Sequence, residues 1–336
     1  AYDAPGEQVW PETPASLGEM QEDWPRNRLG LARWLTSGDH PLTARVAVNR
    51  YWQMLFGAGL AATPDDLGSQ GQLPTHPELL DWLSHRFVES GWDVKQLLKL
   101  IVMSATYQQS NDCKPDVRKR DPANALLARG PHGQLSAEML RDGSLFAGGL
   151  LVEKMGGPPV KPYQPVGLWK EKGTQTFTRD EGEGSHRRSL YTYWKRTSPP
   201  PSMLTLNAAK RDVCLVKRQA TTTPLQSLVL LNDPQYVEAA RGLAQQTLEL
   251  EGSSLDDQLV YVFRTLTSRR PVDAELGLLK TAYQEQRKLF IEQTEQAVEL
   301  ISIGDLAVNE KLDPADVAAM TVVVELVLNF EEAVTK

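Results

Sequence analysis

The sequence contains only two cysteines, Cys113 and Cys214, among its 336 residues. Neither lies in a CxxC or CxxCH pattern, so the chain has no sequence for covalent haem attachment and no zinc-knuckle spacing. We therefore expect no cofactor and no metal in this chain. Because the two cysteines are far apart, two interpretations stay open: two unrelated buried thiols, or a long-range disulfide, which an extracytoplasmic location would favour.

Long apolar runs are also missing. No stretch of about 18 apolar residues occurs, and we expect no membrane-spanning helix. The first residues, AYDAPGEQVW, lack a basic region followed by an apolar one and do not begin with Met, which favours a fragment or mature piece of a longer protein over a signal peptide. A net charge of −7 argues against a chain that binds nucleic acid over its whole surface.

Complete catalytic motifs are absent as well, since no GxSxG, HExxH, P-loop or GxGxxG context occurs. The glycines Gly156 and Gly157 favour a tight turn over a phosphate cradle, because the prolines that follow them lack amide donors. Whether the protein is an enzyme stays uncertain. The residues that could take part in catalysis are the loop acids Asp65, Asp66, Asp180, Glu181 and Glu183, the histidines His132 and His186, and a Cys214 thiol with cationic neighbours.

What the sequence does contain is helical periodicity, which predicts a mainly α multi-helix protein with at most a few short strands. We expect an extended Pro-rich arm at 1–26, continuing from a missing upstream region, and a single mostly helical domain at 27–336. Its helical lobes, 27–151 and 223–336, are joined by an irregular, Pro/Gly-rich segment at 152–222. The predicted helices begin after Asn27, Thr43, Thr75, Asp93, Ser136, Thr223, Asp233, Ser254, Val272 and Asp313, with a short one at 124–129 and a strand at 188–194.

Several polar residues of the first lobe have two interpretations. Arg45, Asn49 and Arg50 lie on an otherwise apolar helix, where they favour tying down neighbouring loops over binding a ligand. His76 precedes a helix, and a structural hydrogen bond there is favoured over metal ligation.

The most unusual stretch runs from His186 to Arg218. It holds eight Lys or Arg and one acid, a local charge of +7 in a chain whose total is −7. Arginine forks suit carboxylates or sulfates, and aromatic faces suit sugar rings or cations. The alternative is that these cations pair with acids elsewhere in the chain or on an upstream domain; nucleic acid is not favoured. The predicted ligand-binding residues are Arg187, Arg188, Tyr191, Tyr193, Trp194, Lys195, Arg196, Arg211, Lys217 and Arg218.

Four segments together resemble a known family. They are NRLGLARWLTSGDHPLTARVAVNRYWQMLFGAGLAATPDDLG, HPELLDWLSHRFVESGWDVKQLLKLIVMSATYQQS, RRSLYTYWKRTSPPPSMLTLNAAKRDVCLVKRQATTTPLQSLVLLNDPQYVEAAR and LVLNFEEAVTK. They resemble the planctomycete-specific C-terminal PSD domain, a domain of unknown function (family 1553). The chain departs from the family pattern at Thr222, where Asn is common, and at Phe330 and Glu331, where Leu-Asp is common.

This resemblance implies a location and neighbours but no known activity. Domains of this family lie at the C-terminus of large exported proteins that often carry a planctomycete-type cytochrome c domain. The resemblance therefore implies a periplasmic or cell-surface location, upstream domains as partners, and haem c only on such an upstream domain. The family has no agreed catalytic residues. We therefore favour a non-catalytic binding module for acidic polysaccharide or an upstream domain. The alternative is an enzyme domain that acts on polysaccharide or is redox-linked to a cytochrome c domain.

Overall fold

Helices dominate the structure, a computed structural model that describes residues 3–170, 176–218 and 220–335. Fifteen α-helices lie in these ranges, and pairing between extended segments is limited there to three isolated bridges. The predicted mainly α fold is confirmed. None of the described helices is both long and apolar enough to cross a bilayer.

The chain forms two compact units, Ala1–Gly133 and Gln134–Lys336. The boundary precedes the one that the sequence predicts between the first lobe and the irregular segment, so the helix after Ser136 belongs to the second unit. The prediction of a single domain over 27–336 stays a prediction.

The first unit contains five helices in its described residues, and three of them surround one apolar core. They are α1 (Arg28–Leu35), α2 (Thr43–Phe56), α3 (Pro77–Glu89), α4 (Val94–Val102) and α5 (Pro115–Arg120). Residues of α2, α3 and α4, among them Val48, Trp52, Leu80, Phe87 and Ile101, form the core. Of the predicted arm, residues 3–12 are exposed, whereas Gly18 is held because its carbonyl accepts a hydrogen bond from Trp34 Nε1 at 3.0 Å.

Local sequence signals locate these helices with some errors. Asn27 and Asp93 cap α1 and α4 as predicted. Helix α3 begins after His76 rather than after Thr75. The residues at 124–129 form turns, and the short helix of this region is α5, which begins at Pro115 because Pro is favourable at the first helical position.

The second unit contains ten helices in its described residues. They are α6 (Ala137–Ala147), α7 (Glu183–His186), α8 (Pro201–Thr205), α9 (Pro224–Asn232), α10 (Pro234–Leu248), α11 (Leu255–Thr267), α12 (Asp273–Glu292), α13 (Thr294–Ile301), α14 (Pro314–Leu328) and α15 (Glu331–Val334). Most residues of α10 and α14 are buried, so these two helices form the centre of the unit. The sequence predicts one helix over 273–301, but the structure has two helices there, separated by the non-helical residue Gln293.

Helix α6 approaches α10 closely where glycines replace side chains. A Cβ atom on Gly148 would lie 2.4 Å from the carbonyl oxygen of Ala239. A Cβ atom on Gly242 would lie 2.4 Å from the carbonyl oxygen of Gly148. Both distances are far below van der Waals contact, so any larger residue would push the end of α6 away from α10.

Two charged side chains of α10 fix the loop that precedes α14. Glu238 accepts hydrogen bonds from the backbone amides of Asp305 at 2.6 Å and Leu306 at 2.7 Å. Arg241, which is fully buried, donates to the carbonyl oxygens of Ile303 and Leu306 at 3.1 and 2.7 Å. The buried charges are therefore used to satisfy backbone that has no helical partners.

Helix α14 also carries a carboxyl group into the interior. Glu325 is 6% exposed, and its Oε1 has no hydrogen-bond partner among the described residues. Burial raises the pKa of Glu325 from the usual 4.5 to about 8. Near neutral pH the folded protein therefore keeps a proton on Glu325 that the unfolded chain releases.

Between pH 5 and pH 8, the free energy of unfolding should fall in the wild type but not in a Glu325→Gln variant. Between 4.5 and about 8 the folded wild type binds more protons than the unfolded chain, so its free energy of unfolding falls as the pH rises. The variant should lack this contribution, which is on the order of 3 kcal/mol. Urea denaturation at both pH values measures it, with the exposed Glu285→Gln as control. Parallel pH profiles for wild type and Glu325→Gln would contradict the expectation.

Candidate functional site

The segment from Ser185 to Ser189 is held in place by the buried guanidinium of Arg141 on α6. Arg141 donates to the carbonyl oxygens of Ser185 at 2.6 Å and Arg187 at 2.9 Å. A third hydrogen bond joins its Nε to Gln235 Oε1 of α10 at 2.7 Å. Burial lowers the pKa of Arg141, but a guanidinium stays charged in proteins. The segment is thus fixed on α6 and α10 although it has little regular structure.

Asp142, the next residue of α6, holds the end of this segment. Its Oδ1 accepts hydrogen bonds from the backbone N of Ser189 at 2.8 Å and from its Oγ at 2.7 Å. The exposed Arg188 brings its Nε within 3.9 Å of Asp142 Oδ2. Arg188, a predicted ligand residue, therefore has an acid of its own chain as a partner.

His186 interacts with the interior rather than with the loop acids. Its Nε2 lies 3.1 Å from Oε2 of the buried Glu238. Burial alone would raise the pKa of Glu238, but the bonds from His186 and two backbone amides lower it below the ordinary value. The loop acid Asp180 accepts instead from the backbone N of Lys161 at 2.7 Å. His186 and Asp180 thus have structural contacts, and neither lines the groove described next.

An open groove of about 460 Å³ lies along the following residues. It is lined by Gly157, Pro159, Leu190, Tyr191, Thr192, Tyr193, Trp194, Arg196 and Arg211. Five of these are predicted ligand-binding residues, namely Tyr191, Tyr193, Trp194, Arg196 and Arg211. The structure therefore brings half of the predicted set together on one surface of the second unit.

Arg187, although predicted as a ligand residue, supports the groove from inside. It is 6% exposed and donates to the carbonyl oxygens of Lys154 at 3.0 Å and Pro158 at 3.1 Å, and also to that of Gly156. Its guanidinium carbon lies 3.8 Å from the ring centroid of Tyr191. Arg187 therefore ties the loop at 154–158 to the groove wall, and we leave it out of the candidate site.

Trp194 and Arg211 form a stacked pair at the groove. Trp194 Nε1 donates to the carbonyl oxygen of Lys210 at 2.7 Å, which fixes the indole. The guanidinium carbon of Arg211 lies 4.8 Å from a ring centroid of Trp194. The backbone of Arg211 has a φ of 60°, a left-handed conformation that a residue other than glycine adopts at a cost of about 1–3 kcal/mol. The Arg211 side chain is thus held beside the groove by both its ring contact and its backbone.

The cations of the stretch divide into paired and unpaired groups. Arg218 makes a bidentate contact with Glu138, at 2.6 and 3.1 Å. Lys195 Nζ lies 4.2 Å from the Trp169 centroid, and the exposed Lys217 does not line the groove. No carboxylate of the described residues forms an ion pair with Arg196 or Arg211. These two guanidiniums are therefore available to donate hydrogen bonds to an anion in the groove.

The two tyrosines of the groove are fixed by their own contacts. The hydroxyl of Tyr191 accepts a hydrogen bond from the backbone N of Gly156 at 2.7 Å. Tyr193 packs on the buried Trp169, with 5.8 Å between ring centroids, and Lys161 Nζ lies 5.6 Å from its ring. The predicted strand at 188–194 is wrong, because a short 3₁₀ turn at Ser189–Tyr191 occupies its middle.

Four lining residues are not found by the sequence reasoning: Gly157, Pro159, Leu190 and Thr192. Gly156 and Gly157 both have left-handed φ values, 80° and 91°, and these turn the loop toward the groove. The only available signal was the Gly-Gly-Pro-Pro run, which indicates a turn but not what the turn contacts. Thr192 gives no signal, since a threonine between two tyrosines is typical of ordinary extended backbone.

The other candidates do not belong to the groove lining. Both cysteines are free thiols, Cys113 half-buried and Cys214 exposed, so the interpretation of two buried thiols is wrong. In the described part of the chain, no group of three or more His, Cys, Asp or Glu side chains could hold a metal ion. His132 Nδ1 lies 3.1 Å from the amide nitrogen of Asn111.

Two of the three polar residues of α2, Arg45 and Asn49, hold neighbouring residues as predicted, and the role of Arg50 stays a prediction. Arg45 pairs with Asp81 at 2.6 Å and also donates to the carbonyl of Pro41. The side-chain amide of Asn49 makes two hydrogen bonds to the backbone of Ala61, at 2.9 and 3.0 Å.

A comparison with protein families gives one finding. The family model described as PSD1, Protein of unknown function (DUF1553), matches residues 27–283, a range that includes the whole groove. Because the match covers most of the sequence, the chain belongs to this family. No curated protein and no solved structure matches the chain.

Replacing Arg187 by Met should destabilise the protein, although Arg187 belongs to the basic stretch. The change removes the hydrogen bonds from a buried guanidinium to the carbonyl oxygens of Lys154, Gly156 and Pro158, at a cost of about 1.5–3 kcal/mol. Arg188→Met is the matched control, because Arg188 is exposed and should lose no more than about 0.5 kcal/mol. Urea denaturation measures both variants. Equal stabilities would show that Arg187 does not support the loop.

Proposed function

We propose that this member of the DUF1553 family is a binding module whose groove takes up an acidic polysaccharide. The observation that supports the proposal most directly is the pair of guanidiniums, Arg196 and Arg211, in a groove whose other walls are mainly aromatic and apolar. An acidic polysaccharide offers anionic groups to the guanidiniums and sugar-ring faces to the aromatic and apolar walls. Ligand sites are typically lined by apolar and aromatic side chains with a few polar or charged groups that orient the ligand.

Charge makes such a ligand favourable at this surface. The chain has a net charge of −7. Among the described residues, carboxylates form ion pairs with Arg188 and Arg218 of the basic stretch, but none does so with Arg196 or Arg211. An unpaired guanidinium can form two parallel hydrogen bonds with one carboxylate or sulfate. The stacking of Arg211 on Trp194 lowers the conformational entropy that binding would otherwise remove.

A binding role fits the lining better than a hydrolytic one. Glycoside hydrolysis generally uses two carboxyl groups on either side of the scissile bond. The described lining of the groove supplies two arginines and a set of rings, and neither an acid nor a histidine belongs to it. We therefore favour recognition of the polysaccharide over its cleavage by this groove.

The location and neighbours that we propose come from the family resemblance. A periplasmic or cell-surface protein of planctomycete type would meet acidic polysaccharides, and upstream domains, including a cytochrome c domain, would share the same polypeptide.

Two substitutions in the groove should weaken polysaccharide binding without unfolding the protein. Arg196→Gln removes one exposed charge, and Arg211→Gly removes the other while relieving a left-handed residue, which glycine adopts without strain. Each should raise the Kd for an acidic polysaccharide about tenfold, and the wild-type Kd should rise with NaCl concentration. Isothermal titration calorimetry at two salt concentrations measures this.

The matched control is Arg270→Gln, which removes an exposed arginine outside the groove lining. It should leave the Kd unchanged. Binding that survives both groove substitutions, or an equal loss with the control, would contradict the assignment of this groove. A wild-type protein that binds neutral and acidic polysaccharides equally well would contradict the role of charge.

A further inference from the structure

One polar group on the groove lining has no partner in the described structure. Thr192 lines the groove and is 3% exposed, and its Oγ1 makes no hydrogen bond with any described residue. Buried hydroxyl groups are normally hydrogen-bonded, because leaving one unpaired costs free energy. The residue therefore combines two properties that suggest a role in binding: a position on the groove and an unused donor and acceptor.

Hydrogen bonds hold the backbone on both sides of Thr192. The backbone N of Thr192 donates to Ser189 at 3.1 Å. On either side of it, Val160 N donates to the Tyr191 carbonyl at 2.8 Å, and Tyr193 N donates to the Val160 carbonyl at 2.7 Å. Thr192 is thus held between two anchored neighbours, and rotation about its χ1 is the movement by which its hydroxyl could reach a ligand.

The balance of charge and apolar surface restricts the ligand further. Two guanidiniums line the groove, beside Leu190, Pro159 and three aromatic rings. Heavily sulfated chains carry more than one anionic group on many rings and are matched by dense cations. A sugar with one carboxylate on its ring needs a single guanidinium fork, a surface for its C–H face and donors or acceptors for its hydroxyls.

We infer that the groove is specific for a uronic acid unit, whose carboxylate binds Arg196 or Arg211 and whose ring hydroxyl hydrogen-bonds Thr192 Oγ1. This inference rests on the proposed function and narrows its ligand to carboxylated polysaccharide. The planar carboxylate matches the planar guanidinium. Thr192 then acts as the residue that distinguishes a hydroxyl-bearing sugar from other carboxylated polymers of equal charge.

The test compares two hydroxyl deletions in the full chain. Thr192→Val keeps the shape of the side chain and removes its hydroxyl. Ser198→Ala is the matched control. Ser198 is likewise buried (5% exposed), its Oγ has no partner among the described residues, and it belongs to the same segment but not to the groove lining. Thr192→Ser retains the hydroxyl. Thermal unfolding of each variant accompanies the titrations.

Three probes of equal length are titrated: an oligogalacturonide, a sulfated oligosaccharide and an oligoglutamate. Wild type should bind the oligogalacturonide most tightly. Thr192→Val should weaken that binding about five- to tenfold. Its affinity for the oligoglutamate should equal that of wild type, and its melting temperature should be no lower. Thr192→Ser should stay within about twofold of wild type, and Ser198→Ala should not change the affinity.

The outcomes separate this inference from the proposed function. If Thr192→Val binds the oligogalacturonide as wild type does, or if the sulfated probe binds more tightly, the uronic acid assignment is wrong, although an Arg196-dependent affinity for acidic polysaccharide would still support the proposed function. If wild type binds neither acidic saccharide, both are wrong. Equal losses in Thr192→Val and Ser198→Ala would assign the effect to the fold and overturn the role of Thr192.

Discussion

The groove depends on one buried charge, the guanidinium of Arg141. It is 2% exposed, and its donors satisfy the carbonyl oxygens of Ser185, in the last turn of α7, and of Arg187, just beyond that helix. A neutral side chain of the same size could fill the space between α6 and α10 but could not bind two carbonyls of the segment at 185–189. The aromatic residues of the groove follow directly on this fixed backbone and are held further by their own contacts.

The same principle divides one basic stretch into two functions. Cations whose charge is directed inward, such as Arg187, bind backbone carbonyls and form the supporting wall. Cations directed outward either pair with acids of α6, as Arg218 does with Glu138, or stay unpaired at the groove, as Arg196 and Arg211 do. Their sequence neighbours give no indication of this division, since Arg187 and Arg188 are adjacent and one is buried while the other is exposed.

The sequence could therefore predict some features and not others. A helix cap such as Asn27, Asp93 or Asp313 lies two or three residues from the amides it binds, so a short window of sequence contains the whole interaction. Arg187 reaches carbonyl groups about thirty residues away, which no local pattern encodes. The aromatic and basic composition located the groove approximately, but the contribution of Gly157 and Thr192 depends on how the 154–160 loop returns to the segment at 191–193.

An irregular wall also explains why a binding surface could arise here. In a helix, nearly all interior polar groups of the backbone pair with each other, so side chains add only surface chemistry. In the segment at 152–222, side chains such as Arg187 of the segment and Asp142 of α6 supply partners to backbone groups. The side-chain hydroxyls of Thr192 and Ser198 have no partner among the described residues. Only the first of these two lines the groove. The unpaired Thr192 hydroxyl is enclosed in the unbound protein and raises its free energy. In the proposed complex, rotation about χ1 brings the hydroxyl to the ligand, and the hydrogen bond gained there contributes both affinity and selectivity.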